Sequence, residues 1–254
     1  MDLTFGEYLR ALITADMDLM AEDKHRYRVA FIEAFRRRGI YPRDVRTLSE
    51  DSLRWARPGE DPTLEPGQME ETLKHFIENI RLRDRVDKLR YRRNRFDIWT
   101  ETRNIRSGLH EAIKNEVEKA ELLQRLTGLA LAEYQAPEGV RVHRDGWPVF
   151  NVYALREARR QQEDGRVLNQ VFITILQTER MVHEEQTHTI RSGSTLILDL
   201  DEARVTYVIR KGLHDKERLT RTIAFKESQS NASLGATYFG ELDEPFAALH
   251  HVGA

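Results

Sequence analysis

Two clusters of side chains in this sequence are of the types that do chemistry. The first is His183-Glu184-Glu185-Gln186-Thr187-His188, which puts two imidazoles and two carboxylates in one short segment. Imidazole nitrogen and carboxylate oxygen are zinc ligands. A helical zinc motif sets its histidines four apart, whereas a spacing of five turns them roughly 140° from each other. Zinc also needs converging ligands that are oriented by outer partners. The segment therefore reads as a polar loop, and His250-His251 is read the same way.

The second cluster is the basic run Arg81, Arg83, Arg85, Lys88, Arg90, Arg92, Arg93 and Arg95, opposed only by Asp84 and Asp87 and interleaved with Leu82, Val86 and Leu89. Clustered guanidinium groups bind polyanions by displacing counterions. A net charge of −2 and the lack of a nucleic-acid-binding motif favour a solvated helix face instead, or pairing with the acidic stretches 60–71 and 111–121. Tyr91, Phe96 and Trp99 have ring faces suited to base stacking, but their helical spacing reads first as core. Ser192-Gly193-Ser194 is followed by a strand rather than a helix, so it is not a phosphate cradle. The chain has no cysteine, no nucleophile-elbow pattern and no HExxH. No residue set assembles a catalytic site, and the chain by itself is expected to be non-catalytic.

The elements that must position these residues follow from periodicity. The first stretch, Phe5 to Ile40, holds two amphipathic helices. Phe5, Leu9, Leu12 and Ile13 mark one apolar face; Tyr27, Ala30, Phe31, Ala34 and Phe35 mark the other. Asp23 is placed to cap the second helix, Arg36 to Arg38 suit its C-terminal end, and Gly39 suits the residue just past it. Thr47 with Glu50 suggests a capping box for a short helix ending near Trp55. The proline- and glycine-rich stretch 57–67 is the expected linker. From Gln68 a long helix is expected, with Leu73, Phe76, Ile77 and Ile80 as its stripe. It continues through the basic run, then breaks near Asn104–Gly108, with Ser107 capping a second helix. After Val140 the pattern alternates. Strands are expected near Val149–Arg159, Val167–Thr178, Thr195–Leu200 and Arg204–Lys211, with Arg180–Gly193 as a surface loop and a helix over Asp215–Glu227. Val205, Tyr207 and Ile209 are expected to share the core face. Pro245, Phe246 and Leu249 would dock an irregular tail.

The fold class is thus α+β: N-terminal helical hairpins, then a four-stranded antiparallel meander with a covering C-terminal helix. The expected divisions are 1–56, the linker 57–67, a helical hairpin 68–135, sheet plus helix 136–228 and a tail 229–254. With 254 residues, 40% hydrophobic and 32% charged, the chain is long enough for one large core or two small ones. No apolar run approaches membrane-spanning length, and the missing cysteines suit a reducing cytosol, so a cytoplasmic location is expected.

The order of residues in Ala11–Asp18 and Val29–Ile40, an Ala-Asp and aspartate-leucine turn before an aromatic helix ending in Gly-Ile, resembles the end of the catalytic unit in gluzincin metallopeptidases of the thermolysin and fungalysin clan. The stretch through Trp55, with later turns and the strand Thr195–Leu200, resembles a bacterial group of gluzincin-like proteins with a long C-terminal extension. The resemblance implies a C-terminal region lacking the HExxH part, with zinc only in longer family members. It also implies a scaffold, gating or partner-binding role toward the upstream peptidase part or another protein. On that reading Leu9, Leu12, Ile13, Phe31 and Phe35 would lack partners inside this chain. The alternatives are a polyanion- or nucleic-acid-binding module using residues 81–95, and an independent hydrolase with an unrecognised site.

Overall fold

The computed structural model describes residues 3–60, 74, 77, 78, 80–183, 185–213 and 215–227. The chain is α+β, as expected. Helices α1 (Phe5–Leu19), α2 (Tyr27–Arg37), α3 (Glu50–Leu53), α4 (Leu82–Arg90), α5 (Arg95–Asn115) and α6 (Val117–Thr127) come first. Strands β1 (Phe150–Gln161), β2 (Val167–His183), β3 (Gln186–Asp199) and β4 (Arg204–Lys211) follow, then α7 (Lys216–Glu227). The sheet is antiparallel in the order β1-β2-β3-β4. Two compact units result: Met1–Glu179 with Arg191–Leu213, and Arg180–Ile190 with His214–Ala254. Residues on both sides of the 57–67 stretch fall in the first unit. Leu73, Phe76 and the segment 228–254, with its expected docking residues, lie outside the described residues.

In the first unit, α1 opens with a capping box: the Thr4 hydroxyl accepts from the Glu7 amide at 3.2 Å and the Glu7 carboxylate accepts from the Thr4 amide at 2.8 Å. Asp23 caps α2 from outside the helix, its carboxylate accepting from the Tyr27 and Arg28 amides at 2.8 Å each. Past Arg38, Gly39 turns left-handed (φ 70°) and the Ile40 amide reaches back to the Phe35 carbonyl, a Schellman ending. The short helix α3 is capped by Ser49, not Thr47; the Ser49 hydroxyl accepts from the Ser52 amide, and Thr47 braces both hydroxyls.

Leu9, Ile13, Ile32 and Leu53 form the core of this corner, backed by Met17, Phe35, Val45 and Leu48. The buried face of α2 is therefore Arg28, Ile32 and Phe35; of the stripe read from sequence, Tyr27, Ala30, Phe31, Ala34 and Phe35, Phe35 alone belongs to it. Arg28 is the reason for this rotation. Its side chain is 4% exposed and bonds Asp16 at 2.6 Å, Glu50 at 3.0 Å and the Met20 carbonyl. Burial alone would depress the Arg28 pKa; the bonds to Asp16 and Glu50 outweigh it and the net shift is upward.

The main core lies between the sheet and α4–α6. Ile77, Ile80, Leu82, Val86, Ile105, Leu109 and Ile113 meet Phe150, Val152, Leu155, Val171, Ile173, Ile175, Leu196 and Leu198. The helical break expected at Asn104–Gly108 is absent. α5 runs unbroken through Ser107 and Gly108, because Ile105, Leu109 and Ile113 bury one continuous stripe and Gly108 leaves room for the Arg85 guanidinium. The breaks fall instead at Tyr91–Asn94 and at Glu116, giving three helices rather than a hairpin. The helical layer ends at Gly128 (φ 69°), which meets Gly212 backbone to backbone: a Cβ on Gly212 would sit 3.2 Å from the Gly128 carbonyl oxygen.

Strand β4 works on two sides. A bulge opposite Ile197/Leu198 leaves Thr206 unpaired, so Val205 and Tyr207 face opposite ways rather than sharing a face. Val205 and Val208 pack on the helical layer, where Arg210 also donates to the Leu126 carbonyl at 2.7 Å. Tyr207 and Lys211 reach the N-terminal helices: the Tyr207 hydroxyl donates to Asp18 at 2.6 Å and Lys211 pairs with Glu7. The β1–β2 turn holds the same helix, with Gln162 donating to the Asp18 carbonyl and the Glu163 amide to the Leu19 carbonyl.

In the second unit, Leu219 and Ile223 of α7 pack on Ile190 and Met181. The expected loop Arg180–Gly193 is instead the outer arm of the β2–β3 hairpin.

Gly6 sits where α1 crosses residues 41–42; a Cβ there would lie 2.7 Å from the Pro42 Cα. Alanine is the better helix former by about 1 kcal/mol, yet Gly6→Ala is expected to destabilise by more than about 1 kcal/mol through that backbone clash. Urea unfolding checks this, and a gain in stability would mean that the crossing is not close.

Candidate functional site

The basic run does not form one helix. α4 buries Leu82 and Val86, with Leu89 partly covered, so Arg83 and Lys88 are turned outward. It ends at Tyr91; Arg92 and Arg93 lie in the turn, and Asn94 caps α5 by accepting from the Phe96 amide at 2.9 Å. Arg95 is the first residue of α5. Three of the eight cations are engaged: Arg81 with Asp84, Arg83 with Asp201 at 2.9 Å, and Arg90 with Asp87 and Glu157. The bond from Glu157 raises the Arg90 pKa most, against desolvation. Arg85 lies across α5 at Gly108. Lys88, Arg92, Arg93 and Arg95 are exposed, and no ion pair with a described residue engages them.

Tyr91, Phe96 and Trp99, expected in the core, are 85%, 67% and 51% exposed on the same corner. Phe96 and Trp99 lie 5.9 Å apart between ring centroids, and the Arg103 guanidinium sits 5.5 Å from the Trp99 ring. Their spacing is helical, but the inner stripe of α5 is Ile105-Leu109-Ile113, and these rings fall off it.

The other sequence candidates do not converge. His183 closes β2 and His188 lies on β3, their rings 6.4 Å apart, with Glu185 in the left-handed turn (φ 66°) and Glu184 outside the described residues. Among the described residues no group of three or more His, Asp or Glu side chains is arranged to hold a metal. With no HExxH in the sequence either, the residues present do not fit the gluzincin zinc site. Ser192-Gly193-Ser194 lies within β3, where the Ser192 hydroxyl donates to Glu179. His250-His251 lies outside the described residues. The apolar cavity between sheet and helices, lined by residues such as Leu109, Val152 and Val205, is about 20 Å³, too small for any ligand.

Two features were missed at the sequence level. The first is a second apolar stripe on each N-terminal helix. On α1, Phe5 and Tyr8 are 73% and 49% exposed, continued by half-buried Leu12 and Ala15. On α2, Tyr27 and Phe31 are 64% and 50% exposed, beside exposed Ala30 and half-buried Ala34. Each row flanks a face already buried. Of the five residues expected to lack partners, Leu9 and Ile13 are fully buried in this chain, Leu12 and Phe35 are half-buried, and Phe31 is exposed. The second feature is the seam at Tyr207, whose phenol bonds Asp18 with Arg54 and Arg57 beside it. Burial, then the Asp18 bond, pushes the Tyr207 pKa above its usual 10.0.

These features define an α+β protein with two exposed, aromatic-bearing surfaces and, among its described residues, no group of side chains arranged to hold a metal. No helix among the described residues is long and apolar enough to cross a membrane. Comparison of the chain with family models, curated proteins and solved structures returned no match.

The purified chain is expected to carry no stoichiometric zinc by elemental analysis and to cleave no casein. Chelator-sensitive hydrolysis that disappears in His183→Ala/His188→Ala would contradict this. A second expectation concerns Tyr207. Its raised pKa contributes stability that is complete below the unfolded value of 10.0 and is lost as pH rises through the higher folded value. Wild type should therefore exceed Tyr207→Phe by about 1 kcal/mol near neutrality, with the margin shrinking above about pH 10. A margin that stays flat or widens in alkaline urea titrations would show the phenol is not so held.

Proposed function

We propose that this chain is a non-catalytic, partner-holding region of a gluzincin-like metallopeptidase, with the outer stripes of α1 and α2 seated against a peptidase lobe or another protein. The exposure of Phe5, Tyr8, Tyr27 and Phe31 carries the reading. These rings lie in the stretch Phe5–Ile40, which also holds the resemblance to the end of a gluzincin catalytic unit. Aromatic rows at helical spacing, placed beside a face that is already packed, are the pattern by which helices enter an apolar groove. Arg28, Asp16 and Glu50 lock the two helices to each other and to α3, and Tyr207 locks them to the sheet, so the stripes are presented on a rigid support.

On this reading the chain performs no chemical step. Zinc and the HExxH helix belong to the partner lobe; this region completes the helical packing around that lobe and sets access to it. The test is a titration of the chain into a recombinant gluzincin catalytic lobe deprived of its own last two helices, followed by calorimetry. The expected result is saturable binding that weakens at least about tenfold in Tyr8→Ser/Phe31→Ser, as loss of two interface aromatics implies. A folded wild-type chain that does not bind, or binding indifferent to the double substitution, would overturn the proposal.

A further inference from the structure

The exposed corner between α4 and α5 is not used by the function just proposed and does not depend on it. We propose that this corner is a binding site for single-stranded nucleic acid, with Phe96 and Trp99 as stacking platforms for bases and Arg92, Arg93 and Arg95 as contacts to the phosphate backbone. The chemistry follows from what the corner displays and what it withholds. Large aromatic rings are normally covered, yet Tyr91, Phe96 and Trp99 stand exposed in one stretch of chain. The local carboxylates Asp84, Asp87 and Glu157 are taken by Arg81 and Arg90, which leaves the turn cations without a described acidic partner. Asp97 and Glu101, in the first two turns of α5, are the carboxylates left beside them, against Arg92, Arg93, Arg95 and Arg103. The site therefore keeps a net positive charge even though the chain as a whole does not.

The cations are guanidinium groups, which bind phosphate in a forked geometry and also lie flat on bases. Ring faces alternating with such cations suit an unpaired strand, whose bases are free to splay onto the protein. A duplex offers no open base faces to Phe96 and Trp99. An anionic membrane would call for a long apolar helix face for insertion, and here the apolar face of α5 is spent on Ile105, Leu109 and Ile113. The Arg103 guanidinium lies over one face of the Trp99 ring, 5.5 Å from its centroid.

The experiment uses the full chain and a fluorescent oligothymidylate of about 12 nucleotides, enough to span such a corner, followed by anisotropy from about 50 mM salt upward. Saturable binding is expected, weaker as salt rises. Removing three phosphate contacts in Arg92→Ser/Arg93→Ser/Arg95→Ser should flatten the log–log salt slope by about 2. Phe96→Ala/Trp99→Ala should weaken binding by about thirtyfold or more and leave the slope unchanged. All five residues are exposed, and circular dichroism and a thermal midpoint equal to wild type establish that each variant is folded. No saturable binding by the wild type at low salt overturns the proposal. So does tighter binding of the matching duplex, or of phosphatidylserine vesicles, with Phe96 and Trp99 required. Binding that both variants leave untouched also overturns it, since the site then lies elsewhere.

Discussion

The bulge at Thr206 lets one strand serve two layers, and the first unit is arranged around it. Val205 and Val208 close the main core against the helices, while Tyr207 and Lys211 turn the other way and take hold of α1. Without the extra residue, strict alternation would put Val205 and Tyr207 on one face and leave one layer without an anchor. The N-terminal helices contribute only a small apolar core of their own, so their attachment relies on polar locks. Arg28 between Asp16 and Glu50 is the deepest of these. A buried guanidinium is costly unless fully engaged, and removal of its partners would leave a bare charge inside. That dependence makes the helical pair a rigid platform and not a loosely appended hairpin.

The element types were legible because period and turn chemistry agreed with them. Asp23, Gly39 and the alternation after Val140 all point to what is found. The errors have identifiable causes. Ser107 and Gly108 looked like a boundary, but burial of one face outweighs their weak helix propensity; the true cap, Asn94, was hidden within a run read as uniformly basic. The outer arm of the β2–β3 hairpin was invisible because, among the described residues, Met181 and Ile190 are the apolar side chains it packs against α7, too few to make a readable hydrophobic period. The rotation of α2 was hidden because an arginine occupies the inner position, where apolar counting cannot see it.

The candidate surfaces were legible only in part. The basic run announced itself by composition, but ion pairing divides it: some of its cations are spent on carboxylates distant in sequence, such as Asp201 and Glu157. The exposed rings of Phe96 and Trp99 read as core from their spacing, and Phe5 and Leu12 read as one apolar face with Leu9 and Ile13, as Tyr27, Ala30, Phe31 and Ala34 did with Phe35. Spacing gives the face of a helix, whereas only the fold decides which face is covered.

That the outer stripes are spare, with the helical pair already anchored inside this chain, is the claim on which the functional reading rests. Urea unfolding of Tyr8→Ser/Phe31→Ser beside Arg28→Ala measures it directly. The expected result is a change within about 0.5 kcal/mol for the stripe variant, typical of surface positions, against about 3 kcal/mol or more for Arg28→Ala. A stripe variant that loses several kcal/mol, or an Arg28→Ala chain as stable as wild type, would show that the rings are core and the anchor misplaced.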